Sequence, residues 1–227
     1  MPARRIELQF GHWLLLLVSR LRMMTKIVRP STTESEVWYA AYGSNLDIAR
    51  FRLYLEGGAP QPGARAHARC PSGVAIIEVD RYTTNHPLYF AGQSGQWSSA
   101  GVAFVGLAPQ DAERTLCRAY RLRLSQFEHV VSEENGGRPV TLTKEALLAE
   151  KTEARDSGWY RIVVRLGSLR RIPVLTISGI PGEIGVRNAP APAYLDRIRI
   201  GLLQAYPELS GVDVEAYLAA AQRREPV

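Results

Sequence analysis

Cysteine, methionine and histidine are all scarce in this chain: two, three and four of 227 residues. Two thiols, Cys70 and Cys117, can build neither a disulfide framework nor a Cys-rich zinc site, and are expected as buried, reduced side chains. His12, His67, His86 and His129 stand at no metal-ligand spacing, so no metal site is expected. Long apolar runs are also missing. Trp13–Val18 is six residues long, against the ~20 needed to cross a bilayer. Neither a Gly-x-Ser-x-Gly nucleophile elbow nor a phosphate loop occurs.

The composition is that of a globular protein, with 46% apolar and 22% charged residues, 19 Gly and 14 Pro. A chain of this length buries roughly 70% of its unfolded surface, enough for one sizeable core. The net charge of +6 is unevenly placed, because residues 1–35 hold six basic groups against Glu7 and Glu34. The remainder is nearly neutral and lacks the basic face that phosphate neutralisation requires, so no nucleic-acid partner is expected.

Residues 1–35 read as a basic and apolar leader, and 36–227 as the functional domain. All three methionines lie at positions 1, 23 and 24, which points to a natural start at Met23 or Met24. An amphipathic surface anchor is the competing reading. The domain is expected to be cytoplasmic, with no membrane partner.

Apolar or alternating runs bounded by Gly, Pro or Asn predict strands at Val37–Ala41, Val74–Ile77, Leu88–Ala91, Val102–Val105, Ala119–Leu124, Trp159–Arg165 and Val174–Ile177. Helices are predicted over Leu46–Leu55, Ser125–Glu134, Tyr194–Ala205 and Val214–Gln222. Residues 136–157 are polar and read as a surface insertion, and Arg170-Arg171 as a solvated turn. Short strands with few scattered helices indicate an α+β, barrel-like sheet.

Two places could carry chemistry. Tyr42-Gly43-Ser44-Asn45-Leu46 joins a strand to a helix, where Gly43 permits a tight turn, Ser44 or Asn45 can cap, and free N–H groups can hold an anion. In the second, Ser125-Gln126-Phe127-Glu128 reads as a capping box, and Phe127, Val130 and Val131 set the apolar face of the helix that follows. Glu134 is the next position on that face, whereas His129, Ser132 and Glu133 fall on the polar side. A carboxylate on a core-facing stripe beside the helix C-terminus should hold its proton more tightly, as a general base or acid near neutral pH requires. A frayed helix end would instead release Glu134 to solvent.

These segments resemble the γ-glutamylcyclotransferase family. Val37–Leu46 is similar to its N-terminal signature, and Ser94-Gly-Gln-Trp97-Ser-Ser-Ala-Gly101-Val-Ala103 to its Ser-x-x-Trp-x-Gly-Gly-x-Ala segment, with Ala100 in place of the first glycine. Leu124–Asn135 matches the helix of the catalytic glutamate, Ser157-Gly158-Trp159-Tyr160 the Ser-Gly-x-Tyr after it, and Pro192–Leu202 through Tyr217 the closing helices. The insertion is longer than in the basic pattern and could reshape the leaving-group side. The resemblance implies an α+β fold, a mixed β-barrel with a few flanking helices. It implies Glu134 as the catalytic group, and Tyr42, Gly43, Ser44, Asn45, Leu46 and Tyr160 as residues around a small γ-glutamyl substrate. The implied reaction releases 5-oxoproline by intramolecular aminolysis and needs no cofactor. A binding module with the same pocket is the alternative.

Overall fold

The computed structural model describes residues 34–60 and 64–227. The expectations for the leader up to residue 33 lie outside the described residues. Val37–Ala41 is apolar at every position, the pattern of a strand covered on both faces. That strand, β1 (Glu36–Ala41), is central in a six-stranded mixed sheet. It pairs antiparallel with β5 (Thr115–Arg123), placing Tyr39 opposite Tyr120, and parallel with β8 (Ile172–Ser178), placing Tyr39 opposite Leu175. The sheet is completed by β2 (Glu78–Thr84) beside β5, and by β7 (Ile162–Leu169) and β6 (Lys151–Glu153) beyond β8. A separate ribbon pairs β3 (Leu88–Ser94) with β4 (Ala100–Val105), and the Ser178 hydroxyl ties it to β8 by donating to the Val105 carbonyl at 2.6 Å.

The helices are α1 (Ile48–Glu56), α2 (Leu124–Glu134), the short α3 (Lys144–Leu148) and α4 (Pro181–Ile184), α5 (Pro192–Ala205) and α6 (Gly211–Gln222). The fold is α+β. Alternate residues of β1 feed two cores. Val37, Tyr39 and Ala41 pack with Phe51 and Leu55 of α1 and Phe127, Val130 and Val131 of α2. Trp38 and Ala40 face the ribbon and α5, with Phe90, Phe104, Ile198 and Leu202. Among the described residues, no helix is long and apolar enough to cross a membrane.

Three segments differ from expectation. Val74–Ile77 is not a strand, because the Gln126 amide donates to the carbonyls of Gly73 and Ala75, occupying acceptors a ladder would have used; β2 begins at Glu78. The 136–157 segment is not wholly a surface insertion. It buries Leu142 and Leu147 and contributes β6 as an edge strand on β7. The strand expected from Trp159 starts at Ile162, because Asn135 clips the preceding turn: its Oδ1 accepts from the Tyr160 N–H at 3.2 Å and its Nδ2 donates to the Tyr160 carbonyl at 3.0 Å. A Cβ on Gly158, where φ is +111°, would overlap the Asn135 amide. Gly158→Ala should therefore cost roughly 1–3 kcal/mol in urea unfolding.

Candidate active site

β1 ends where the chain must turn sharply into α1, and the turn passes under α5. Gly43 is required here, since a Cβ would lie 2.9 Å from the Tyr194 hydroxyl and 3.2 Å from Ala103 Cβ. That hydroxyl accepts from the Ala103 N–H at 3.0 Å. Ser44–Leu46 forms one 3-10 turn. The cap of α1 is neither Ser44 nor Asn45 but Asp47, whose side chain accepts from the Ala49 N–H at 3.0 Å. The 3-10 turn moves the helix start beyond both expected caps.

Tyr42, Gly43, Ser44, Asn45, Glu134 and Tyr160 line one cavity of about 240 Å³. Leu46 does not reach it. Its side chain is fully buried in the core, and its N–H donates to the Gly43 carbonyl at 2.9 Å. Of the expected row of backbone donors, the Leu46 N–H is thus committed inside the protein. The hydroxyls of Tyr42 and Tyr160 donate to the carbonyls of Ile177 (2.6 Å) and Ala103 (2.9 Å), so each turns only an acceptor toward the cavity. Burial raises the pKa of both phenols and keeps them neutral.

Glu134 comes to the cavity from the end of α2. Phe127, Val130 and Val131 are fully buried, and the carboxyl one turn further along that stripe faces the turn after β1. Asn45 Nδ2 donates to its Oε1 at 3.1 Å, and Tyr54 of α1 lines the same cavity. Desolvation raises its pKa; Tyr54, the positive charge of Arg50 and Asn45 pull partly against that rise, and Glu133 adds to it.

Two expectations for α2 need correction. Ser132 and Glu133 are not on a polar side but are 7% and 6% exposed. A chain segment far away in sequence covers them: Glu133 Oε2 meets His67 Nδ1 at 3.2 Å, the Ala68 N–H at 3.3 Å and Arg65 at 3.5 Å. The capping box also differs. The helix begins at Leu124, and the Gln126 side chain accepts from the Arg123 N–H at 2.9 Å. Glu128 instead holds the following loop, accepting from the Leu142 N–H at 2.6 Å. Glu128→Ala should cost about 1–2 kcal/mol in urea unfolding and leave cavity ligands bound as before.

The cavity has further walls that the sequence reading did not single out as site residues: Tyr39, Arg50, Tyr54, Trp97, Trp159 and Tyr194. Arg50 was detectable in principle. It lies four residues before Tyr54, on the face of α1 that also carries Phe51 and Leu55, where an arginine needs a partner. Its Nε donates to Ser44 Oγ at 2.9 Å, and its guanidinium lies over the Trp97 ring at 5.3 Å. The ring of His67 stacks on Tyr54 at 4.0 Å and backs the cavity from outside.

No protein-family model matches the chain. A similar curated protein is Histone deacetylase 5 of Arabidopsis thaliana, 33% identical over 211 residues that cover 85% of this chain and 32% of that protein. The chain thus spans about a third of that relative's length. Among solved structures it is similar to a gamma-glutamyl cyclotransferase, at 17% identity and a TM-score of 0.47, covering 82% of this chain and 88% of that one. It is also similar to an uncharacterized protein from Homo sapiens, at 18% identity and a TM-score of 0.46, with 82% and 88% covered.

Proposed function

We propose that this is an enzyme of γ-glutamylcyclotransferase type, releasing 5-oxoproline from a small γ-glutamyl compound. The observation that carries the reading is the Glu134 carboxyl, which lines the cavity, is held there by Asn45 and is raised in pKa by burial. A general base is most effective when its pKa lies near the working pH. Intramolecular aminolysis requires such a group, because the α-amine of the substrate is an ammonium at neutral pH. Glu134 takes that proton. The amine nitrogen then bonds to the γ-carbonyl carbon, the bond from that carbon to the leaving nitrogen breaks as Glu134 returns the proton to the departing amine, and the ring nitrogen gives up its second proton to that amine or to water, leaving the neutral lactam. Substrate folding within the cavity supplies the proximity that replaces an enzyme nucleophile, an effect reaching roughly 7–11 kcal/mol in favourable cases. No cofactor enters.

A cytoplasmic setting belongs to the same proposal. The activity of the plant relative, of which this chain covers 32%, is no part of it. The test is release of 5-oxoproline from a panel of γ-glutamyl amino acids, γ-glutamylamines and glutathione. Release is the expected result. Ligand-induced stabilisation without release from any member would replace the enzyme reading by that of a binding module.

A further inference from the structure

Arg50 is 7% exposed and lines the cavity, yet among the described residues no carboxylate lies within ion-pair distance of it. Its Nε is used on Ser44 Oγ and its flat face on Trp97, which fixes the guanidinium while no partner is bonded to its terminal nitrogens among those residues. Other buried arginines are satisfied within the protein. Arg118 donates to Gln204 and the Gly201 carbonyl, and Arg161 pairs with Glu153 and Glu183. The charge of Arg50 is felt at Glu134, but no carboxylate pairs with it directly, and an anionic ligand would supply that partner. The second observation concerns Asn45, 5% exposed, whose Oδ1 is buried and has no partner. Its Nδ2 is shared between Glu134 Oε1 and, at 3.3 Å, Tyr39 Oη, so the amide is oriented and the orphan acceptor is left for a ligand N–H.

We propose that Arg50 and Asn45 form the subsite for the α-amino-acid end of the substrate, Arg50 taking its α-carboxylate and Asn45 Oδ1 accepting from its α-amine. This deepens the cyclotransferase reading and rests on it. The pairing sets a cation beside an orphan acceptor and a carboxylate, the complement of an ammonium–carboxylate head group. It places the amine next to Glu134, where its proton is to go. It also supplies a full positive charge, which the backbone of the turn, its Leu46 N–H already given to the Gly43 carbonyl, does not. A substrate without the α-carboxylate leaves the buried guanidinium unpaired, and such omissions are penalised heavily.

The probes are the p-nitroanilides of γ-glutamate and of 4-aminobutyrate. Both can cyclise to a five-membered lactam and release p-nitroaniline, and they differ by the α-carboxylate. The intrinsic difference in amine basicity cancels when the preference of one protein for the two probes is divided by that of another. Wild type should prefer the γ-glutamyl probe by roughly tenfold to hundredfold more than Arg50→Met does, with the variant's loss falling mainly on KM. Arg50→Lys should recover part of the preference. A wild-type preference retained in Arg50→Met would overturn the subsite while leaving the reaction standing. A measurement on wild type alone guards against a variant that does not fold: 5-oxoproline, which keeps the carboxylate, should raise the melting temperature, whereas 2-pyrrolidinone should not. Equal shifts would overturn the assignment. No turnover of either probe or of the γ-glutamyl panel would remove the proposed reaction and the subsite together.

Discussion

Glu134→Gln should lower 5-oxoproline release by about 10²–10⁴-fold without loosening the fold. Gln keeps an oxygen that can accept from Asn45 Nδ2, and it fills the same volume beside Tyr54. What it cannot do is hold a proton at one stage and return it at the next. Stability should move in the opposite direction from activity. Burial raises the folded-state pKa of Glu134 above its unfolded value. The stabilisation that this shift represents is therefore complete below the unfolded value and is lost as the pH rises through the raised folded value. The Gln variant has no such loss, so its melting temperature relative to wild type should climb across that interval. Wild-type kcat/KM should rise over the same interval as the base deprotonates. Calorimetry on both proteins at several pH values, beside a pH–rate profile of wild type, checks the two limbs together. A variant that kept wild-type turnover would remove Glu134 from the chemistry.

Gly201→Ala should damage both stability and turnover, although it lies on α5 and does not line the cavity. An alanine in a helix interior is ordinarily favourable over glycine by about 1 kcal/mol. At this position a Cβ would overlap the Leu46 carbonyl carbon and Cβ and the Asp47 nitrogen. Relieving that overlap means moving α5 off the turn that presents Ser44 and Asn45, or moving the turn itself. Overpacking of this kind costs typically 1–3 kcal/mol, which outweighs the propensity gain. Displacement of the site by about 1 Å can cost 10²-fold in rate. Stability in urea and turnover, measured on the same preparation, should both fall. Ile200→Ala, at an exposed position on the same helix, is the control and should leave turnover near wild type.

The sequence carried most of what local chemistry decides. The apolar run from Val37 announced a strand, and the spacing from Phe127 to Val131 placed Glu134 on the inner stripe of its helix. Most of the failures have a physical origin in partners far away along the chain. Ser132 and Glu133 look solvent-facing on the helix alone, and only the His67 segment buries them. Val74–Ile77 has the residues of a strand, but Gln126 takes the carbonyl of Ala75 within it and that of Gly73 just before it. Leu46 belongs to the same motif as Asn45, yet the single 3-10 turn sends one into the core and the other to the cavity. Arg50 was hidden because a basic residue on a helix ordinarily reads as solvated.

The pairing of β1 has a kinetic consequence. This strand is held on one side by residues near position 120 and on the other by residues near 175, and the cavity draws on Tyr42, Trp97, Glu134, Tyr160 and Tyr194. Such distant closures form slowly, because chain entropy is surrendered before the contacts return it. Catalytic competence should therefore emerge late in refolding, in step with the global transition, and a nascent chain lacking its last strand would have no partial version of the site to offer.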